Sequence, residues 1–463
     1  MKNIRVSLTN YCNRNCEYCF SKGKVSSKKD EMSMDDFEFT LKFCEKNEIR
    51  EIILFGGEPT SHTHFKEIIE ILQRRGFFYL LLTNGLFDPS VLDLLSKKKD
   101  YPVLLNYNHP DTFKNAGEWE LVNRNIARMI NLGVNVNLGY NVYEKNPDYR
   151  FFIDAIKKLN ISKIRCDLAR PSMTFENKHF DINDFFSMVP VITKFLKECI
   201  EAGAAVNLDC PFPMCMLLKK DFNFLHKNIY STWLRTDCPG DAITIDPGLK
   251  IAACPPAGVD FENITLRDFE NVDQAAAFVK KTVYHIKWGN YPLADCADCI
   301  FRLLKQCQGG CLGHKRDTKS INKISRSELD EFIKSYNNSE QEDTADDFTN
   351  DAVARAANAC EEKLRKGIKD SFILYSIGNC YEALGDYEKA IKFYGDAVEF
   401  DKTHILAKDR LNLVYQLKAL QGNPNNYKSW KRLEEILKRI YSAGDVTFLI
   451  KYYKNKFAKF NKS

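Results

Sequence analysis

The sequence predicts an α/β protein, a partial barrel of six βα units, followed by a cysteine-rich module and an all-helical region. Three observations predict it. Short β-branched runs alternate with amphipathic segments up to about residue 205, cysteine, proline and glycine replace that rhythm from about 209 to 315, and helical spacing of apolar residues dominates beyond about 350.

The strand-like runs lie at 4–8, 51–55, 78–82, 103–106, 134–142 and 161–168. Between them, 34–47, 64–75, 118–131 and 182–202 have the apolar periodicity and length of crossover helices. A TIM-type series of this kind carries its site at the carboxyl ends of its strands. Cys12, Cys16 and Cys19, the turn Gly56-Gly57-Glu58-Pro59 and the segment Thr83-Asn84-Gly85 all fall there. The barrel is expected over 1–208 and the cysteine-rich module over 209–335, with short strand-like runs at 242–245 and 249–252. A polar, acidic linker at 336–349 is too poor in apolar residues to pack, and a helical domain follows at 350–463.

With 463 residues and 44% hydrophobic content the chain can bury a large core, divided into two or three domains. The net charge of +5 is small and no long Lys/Arg block occurs, which argues against nucleic acid or a membrane surface as partner. No stretch approaches the roughly 18 apolar residues of a membrane span, and Met1-Lys2-Asn3-Ile4-Arg5 runs into a strand rather than a signal peptide. A cytoplasmic location is expected. There thiols stay reduced, so the sixteen cysteines suggest metal ligation rather than disulfides. Cys44, Cys166, Cys199, Cys360 and Cys380 stand alone in apolar or helical surroundings, as small core residues do.

The tight group Cys12-x3-Cys16-x2-Cys19 supplies three thiolates. Three can ligate three irons of a cubane and leave the fourth open to an exogenous chelator, whereas structural zinc wants four protein ligands. This spacing after a first strand, with the aromatic Phe20 behind the third Cys, resembles the radical SAM superfamily. Leu54-Phe55-Gly56-Gly57-Glu58-Pro59 after a second strand and Leu82-Thr83-Asn84-Gly85 after a third strengthen the likeness. The resemblance implies a 4Fe–4S cluster on Cys12, Cys16 and Cys19, with S-adenosylmethionine (SAM) chelating the open iron. It also implies reductive cleavage to a 5′-deoxyadenosyl radical, and hydrogen abstraction from a substrate. Glu58 would hold the SAM amino group, with Gly56, Gly57 and Pro59 shaping that turn and Thr83 and Asn84 beside it. Asn106, Asn108, Asn141 and Arg170, at later strand ends, are candidates for the ribose or carboxylate.

Downstream, Cys238-x15-Cys254 encloses a hairpin with a Pro247-Gly248 turn and precedes Cys296-x2-Cys299-x7-Cys307-x3-Cys311. This is similar to the SPASM domain of radical SAM maturases, though the family usually has five residues where seven separate Cys299 and Cys307, and its last cysteine has no counterpart. By that resemblance Cys238, Cys254 and Cys311 would share a first auxiliary 4Fe–4S cluster with Cys215 or Cys210. Cys296, Cys299 and Cys307 would hold a second, completed by His314, by the remaining upstream Cys, or by nothing. The shorter twitch arrangement would instead build a single cluster from the pairs Cys238/Cys254 and Cys296/Cys299, and zinc ribbons would use the same thiols.

In the helical region Leu374, Gly378, Tyr381, Gly385-Asp386, Ala390, Tyr394 and Ala397 resemble one tetratricopeptide repeat, with Ala356 one period earlier and an out-of-register echo at Gly444-Asp445. A plain helical bundle is the alternative. SPASM-bearing relatives act largely on peptides or protein side chains, so the expected function is a peptide or protein maturase making an oxidative cross-link or a thioether. Its helical repeat would offer a surface to that partner, in place of the leader-binding domain for which Cys12 leaves no room, and a flavodoxin or ferredoxin would donate electrons. Two alternatives stand beside it: dehydrogenation or rearrangement of a small molecule, and a non-catalytic iron–sulfur or zinc scaffold recruiting partners through the repeats.

Overall fold

Period-two burial, read off β-branched runs, places the strands of the first unit. In β3 (Phe78–Thr83) Tyr79 and Leu81 are buried while Leu80 and Leu82 are half-exposed, as a pleated strand between a helical layer and a polar interior requires. The computed structural model describes residues 3–25, 30–208, 210–217, 238, 243–289, 293, 296, 299, 302, 307–316, 321–338, 350–367, 369–440, 450, 453–454 and 457. They divide into two units.

The α/β unit comprises Met1–Cys210, Cys238–Pro292 and Cys311–Asp343. Strands β1 (Asn3–Ser7), β2 (Glu51–Phe55), β3, β4 (Val103–Asn106), β5 (Val136–Val142), β6 (Lys163–Leu168) and β7 (Ala205–Leu208) pair parallel in chain order. Helices α1 (Met34–Lys46), α2 (Phe65–Arg74), α3 (Ser90–Leu95), α4 (Ala116–Asn131), α5 (Arg150–Leu159) and α6 (Asp184–Glu201) connect them, giving the six expected βα units and a seventh strand. The sequence reading assigned no residues to α3 and α5, and β7 was not expected. Local chemistry sets the helix ends: Ser33 caps α1 by accepting from Asp36 N–H, and α5 stops where Asn160 turns left-handed at φ 51°.

On the far side of β1, β8 (Thr244–Ile245) joins in parallel and β9 (Ile251–Ala252) returns antiparallel through Gly248, at φ 73°. A second parallel pair, β10 (Val259–Phe261) and β11 (Asn322–Ile324), carries α7 (Val272–Trp288) and α8 (Arg326–Asn338). Their seam is aromatic, with Phe278 5.7 Å from Phe261 and 5.1 Å from Phe332 between ring centroids. Residues 336–338, expected in the linker, thus end α8, and 339–349 lie outside the described residues.

The second unit comprises Pro211–Asp237, Leu293–Gly310 and Thr344–Ser463. Helices α9 (Asn350–Arg365), α10 (Ser371–Ala383), α11 (Tyr387–Phe400), α12 (Ile405–Gly422) and α13 (Tyr427–Ile440) each pack on the next. Asp370 and Asp386 cap α10 and α11. At Gly378 a Cβ would stand 2.6 Å from the Tyr394 ring, so these helices meet as closely as they do because no side chain intervenes. Tyr394 Oη donates to Glu382 Oε2 at 2.7 Å, and Arg410 Nη1 donates to Glu382 Oε1 at 3.1 Å. The Gly444-Asp445 echo lies outside the described residues.

The stretch 209–335, expected as one module, is divided between the units. The hydrogen bond from Arg5 N–H to Ile243 O (3.1 Å) opens the β1–β8 pairing and makes one part an extension of the sheet, whereas Cys307 belongs to the buried apolar core of the helices.

Candidate functional site

The loop after β1 carries Cys12, Cys16 and Cys19, and the turn after β2 is pressed against it. Gly57 N–H donates to Thr9 O and Glu58 N–H to Tyr11 O, both at 2.7 Å. A Cβ on Gly57 would stand 2.1 Å from Tyr11 O and one on Gly56 2.4 Å from Thr9 O, and Gly56 has φ +146°. The paired glycines therefore let two backbones touch. The amides of Gly57 and Glu58, assigned by resemblance to the cofactor's turn, are engaged by the cysteine loop.

Glu58, 1% exposed, ties three strand ends together. It accepts from Thr60 Oγ1 (2.6 Å), Thr60 N–H (3.2 Å), Thr83 Oγ1 (2.7 Å) and Asn84 N–H (2.8 Å). Burial still raises its pKa above the ordinary carboxylate range. Pro59 opens the single turn Pro59–Ser61 that follows. Asn84 continues inward, its Nδ2 donating to Asn13 Oδ1 at 2.8 Å and toward Cys12 Sγ at 3.8 Å, and Arg14 N–H reaches Cys12 Sγ at 3.4 Å.

The three thiols are electrostatic neighbours. Burial pushes Cys12 up to about 12 and Cys19 up to about 11, and each is raised further by Cys16. Burial holds Cys12 and Cys19 in the protonated form, and a metal centre bound there would deprotonate them outright. Sulfur donors with amide N–H groups aimed at them suit an iron–sulfur cluster held at three corners. Among the described residues no three His, Cys, Asp or Glu side chains converge tightly enough to hold a single metal ion.

Later strand ends form one polar network. Asn106 Nδ2 donates to Tyr18 Oη (3.1 Å), Asn141 Nδ2 to Asn106 Oδ1 (2.6 Å), Arg165 Nη2 to Asn141 Oδ1 (3.0 Å) and Asn108 Nδ2 to Asn141 O (2.9 Å). Asn106, Asn108 and Asn141 are thus brought together, with Tyr18 and Arg165 as members the sequence reading missed. The spacing that singled out Cys16 and Cys19 already encloses Tyr18, which stacks on Tyr143 at 4.8 Å. Phe20 is 41% exposed. Arg170 stands elsewhere: buried, it pairs with Asp167 through Nη1 at 3.0 Å and lies within electrostatic reach of Cys210 and Cys311.

The downstream thiols fall into two neighbourhoods. In the α/β unit, burial pushes Cys254 up to about 12, reinforced by Cys311 and Cys238 and opposed by Arg5 and Arg170. In the helical unit, burial pushes Cys215 up to about 12, reinforced by Cys307, Cys299 and Cys296. Cys210 and Cys215, interchangeable by sequence, lie in different units. His314, a candidate for the second group, belongs to the α/β unit, where its ring stands edge-on to Phe185 at 4.8 Å and burial holds its pKa down to about 3.

Comparison with known proteins gives this arrangement its class. Residues 6–166 match the Radical SAM superfamily, and residues 371–404 match the tetratricopeptide repeat. The chain thus carries a radical SAM domain over residues 6–166 and a tetratricopeptide repeat over 371–404, and the cofactors that go with the first are SAM and a 4Fe–4S cluster. Among its relatives, the radical SAM cyclopropyl synthase TigE of Paramaledivibacter caminithermalis is 24% identical over 344 residues, 68% of this chain and 68% of TigE. The tungsten-containing aldehyde ferredoxin oxidoreductase cofactor-modifying protein of Pyrococcus furiosus is 36% identical over 87 residues, 18% of this chain and 24% of that protein. The chain thus spans about two thirds of the first and about a quarter of the second. Among solved structures, SAM-bound Streptococcus suis SuiB gives a TM-score of 0.49 at 16% identity, covering 70% of this chain and 76% of SuiB. No described helix is long and apolar enough to cross a membrane.

Proposed function

We propose that this enzyme modifies a peptide or protein side chain by radical chemistry, forming an oxidative cross-link or a thioether. Cys12, Cys16 and Cys19 hold the SAM-binding cluster. Cys238, Cys254 and Cys311 with Cys210 hold a first auxiliary cluster, and Cys296, Cys299 and Cys307 with Cys215 a second. The observation that carries the substrate class is the helical unit itself, five successive helices among the described residues, of which Ser371–Ala383 and Tyr387–Phe400 match the repeat, sharing a core with Cys307, since helical repeats present extended surfaces to polypeptides. The likeness to a radical SAM cyclopropyl synthase over 344 residues supports a bond-forming outcome.

When bound, the cluster and SAM supply an electron and a C–S cleavage that yields a 5′-deoxyadenosyl radical able to remove hydrogen from an unactivated carbon. The chain's residues do the rest. Glu58, through Thr83 and Asn84, locks the ends of β2 and β3 against the cysteine loop and keeps Asn84 on Cys12. Tyr18 and Asn106, Asn108 and Asn141 line the strand ends with donors and acceptors for the ribose and amino-acid parts of SAM. The buried ring of Tyr18, stacked on Tyr143, helps exclude water from that floor. A flavodoxin- or ferredoxin-type donor in a reducing, cytoplasmic compartment fits the thiol-rich chain.

The test uses the full chain, purified anaerobically and given dithionite, SAM and peptides encoded beside its gene. A peptide product lighter by two hydrogens, formed with 5′-deoxyadenosine and lost in Cys16→Ala, is the expected result. 5′-Deoxyadenosine formed with small metabolites but never with peptides would replace the substrate class, and its complete absence would remove the enzymatic reading.

A further inference from the structure

Arg14 lies between Cys12 and Cys16 and is 6% exposed. Its Nη2 donates to Thr112 O at 2.9 Å and to Thr112 Oγ1 at 2.8 Å, and its guanidinium carbon sits 3.7 Å from the centroid of Phe113. The side chain is therefore clamped at one edge and on one face. Its Nε and Nη1 are buried with no hydrogen-bond partner, and no carboxylate pairs with it among the described residues. Other arginines of this unit are matched by acids: Arg170 by Asp167, Arg75 by Glu38 and Glu45.

A guanidinium keeps its proton at every pH a folded protein meets. Buried without a counter-charge it is strongly disfavoured, so its place in the fold implies an anion nearby. The loop that carries Arg14 also carries the thiols Cys12, Cys16 and Cys19. Thiolates outweigh the positive charge of an iron–sulfur core, and reduction makes the assembly more negative still. A fixed cation close by stabilises the reduced state more than the oxidised one.

We infer that Arg14 is the counter-charge of the cluster held by Cys12, Cys16 and Cys19, a positioning residue that raises its reduction potential. The inference rests on the cofactor reading above. The geometry matches the role, because the Thr112 clamp and the Phe113 stack keep the charge from swinging to solvent, and Arg14 N–H adds a hydrogen bond to Cys12 Sγ.

The experiment is EPR-monitored potentiometry on the anaerobically reconstituted full chain without SAM, following the signal that SAM perturbs in the wild type. Arg14→Leu is expected to keep its iron and move the midpoint of that signal to more negative potential, while Arg14→Lys stays close to wild type. Arg14→Gln replaces the leucine variant if that one loses iron, and iron loss from both neutral variants but not from Arg14→Lys also supports the role. A neutral variant with full iron and an unmoved midpoint overturns the inference, as does Arg14→Lys shifting as far as Arg14→Leu. A wild-type chain that shows no such signal, or whose signal survives Cys16→Ala, overturns the cofactor reading instead.

Discussion

The two downstream thiol groups have different surroundings. The group with Cys238, Cys254 and Cys311 sits among charges, with Arg5 and Arg170 acting on Cys254 and Asp167 paired to Arg170. The group with Cys215, Cys296, Cys299 and Cys307 sits among other thiols and apolar side chains. Cys307 and Cys299 share the core of Ala356, Ala357, Leu374 and Tyr375, and Cys299 is within electrostatic reach of Cys360 and Cys380. A metal group in charged surroundings is tuned by them. One in an apolar core contributes its binding energy to the stability of that core.

The sharpest way to break this contrast is to strip iron from the full chain under nitrogen. Amides of Ser371–Ala383 are expected to exchange at least about tenfold faster without iron, equivalent to roughly 1.4 kcal/mol of lost protection, and equal exchange in both states would detach the thiols from the helices. At the amino-terminal cysteine loop, Glu58→Gln replaces an acceptor of four hydrogen bonds with a group that donates at one end. A loss of about 2–4 kcal/mol in unfolding of the α/β unit is expected, together with failure to form 5′-deoxyadenosine. Retention of both would show that the brace is dispensable. In the apolar unit, Gly378→Ala should cost about 1–3 kcal/mol by pushing α10 from Tyr394, read from urea unfolding followed by circular dichroism, and a change below about 0.5 kcal/mol would mean the helices part freely.

The smallest expected effect depends on pH. His404 is 2% exposed, and its Nδ1 accepts from Ala407 N–H at 3.2 Å, so the folded chain needs it neutral there. Burial lowers its pKa. The unfolded chain therefore binds the proton first, and stability of the helical unit falls as pH drops below the ordinary histidine value of about 6.5. His404→Asn keeps a cap acceptor and should flatten that fall by about 1 kcal/mol between pH 7 and pH 5.5. An unchanged slope in exchange of the α12 amides would place the acid sensitivity elsewhere.

What the sequence disclosed follows the range of the forces involved. The cysteine loop, the Gly-Gly-Glu-Pro turn and the Thr-Asn-Gly strand end were legible because each is a local spacing with its own chemistry, and β1 to β6 because side-chain alternation is local too. Arg14 was not, since its partners Thr112 and Phe113 come from the turn Pro110–Thr112 and the residue after it, 98 and 99 residues later. Nor could spacing say which of Cys210 and Cys215 joins which group, because the chain crosses between units directly after Cys210. The strand β7 was missed because four residues carry too little alternation to stand out. The α5 helix was legible too, since Phe152, Ile153 and Ile156 share one buried face, though no range was assigned to it.

The pairing of β8 with β1 has a consequence for synthesis. Val6 lies opposite Ile245, so on the ribosome the amino-terminal strand waits with one flank uncovered until its late neighbour emerges. At roughly 5–20 residues per second that wait lasts on the order of ten seconds or more. For that time a bare strand edge and a thiol-bearing loop share one nascent surface, open to stray strand pairing. Iron–sulfur delivery and completion of the sheet are events that a cell making this protein must order in time.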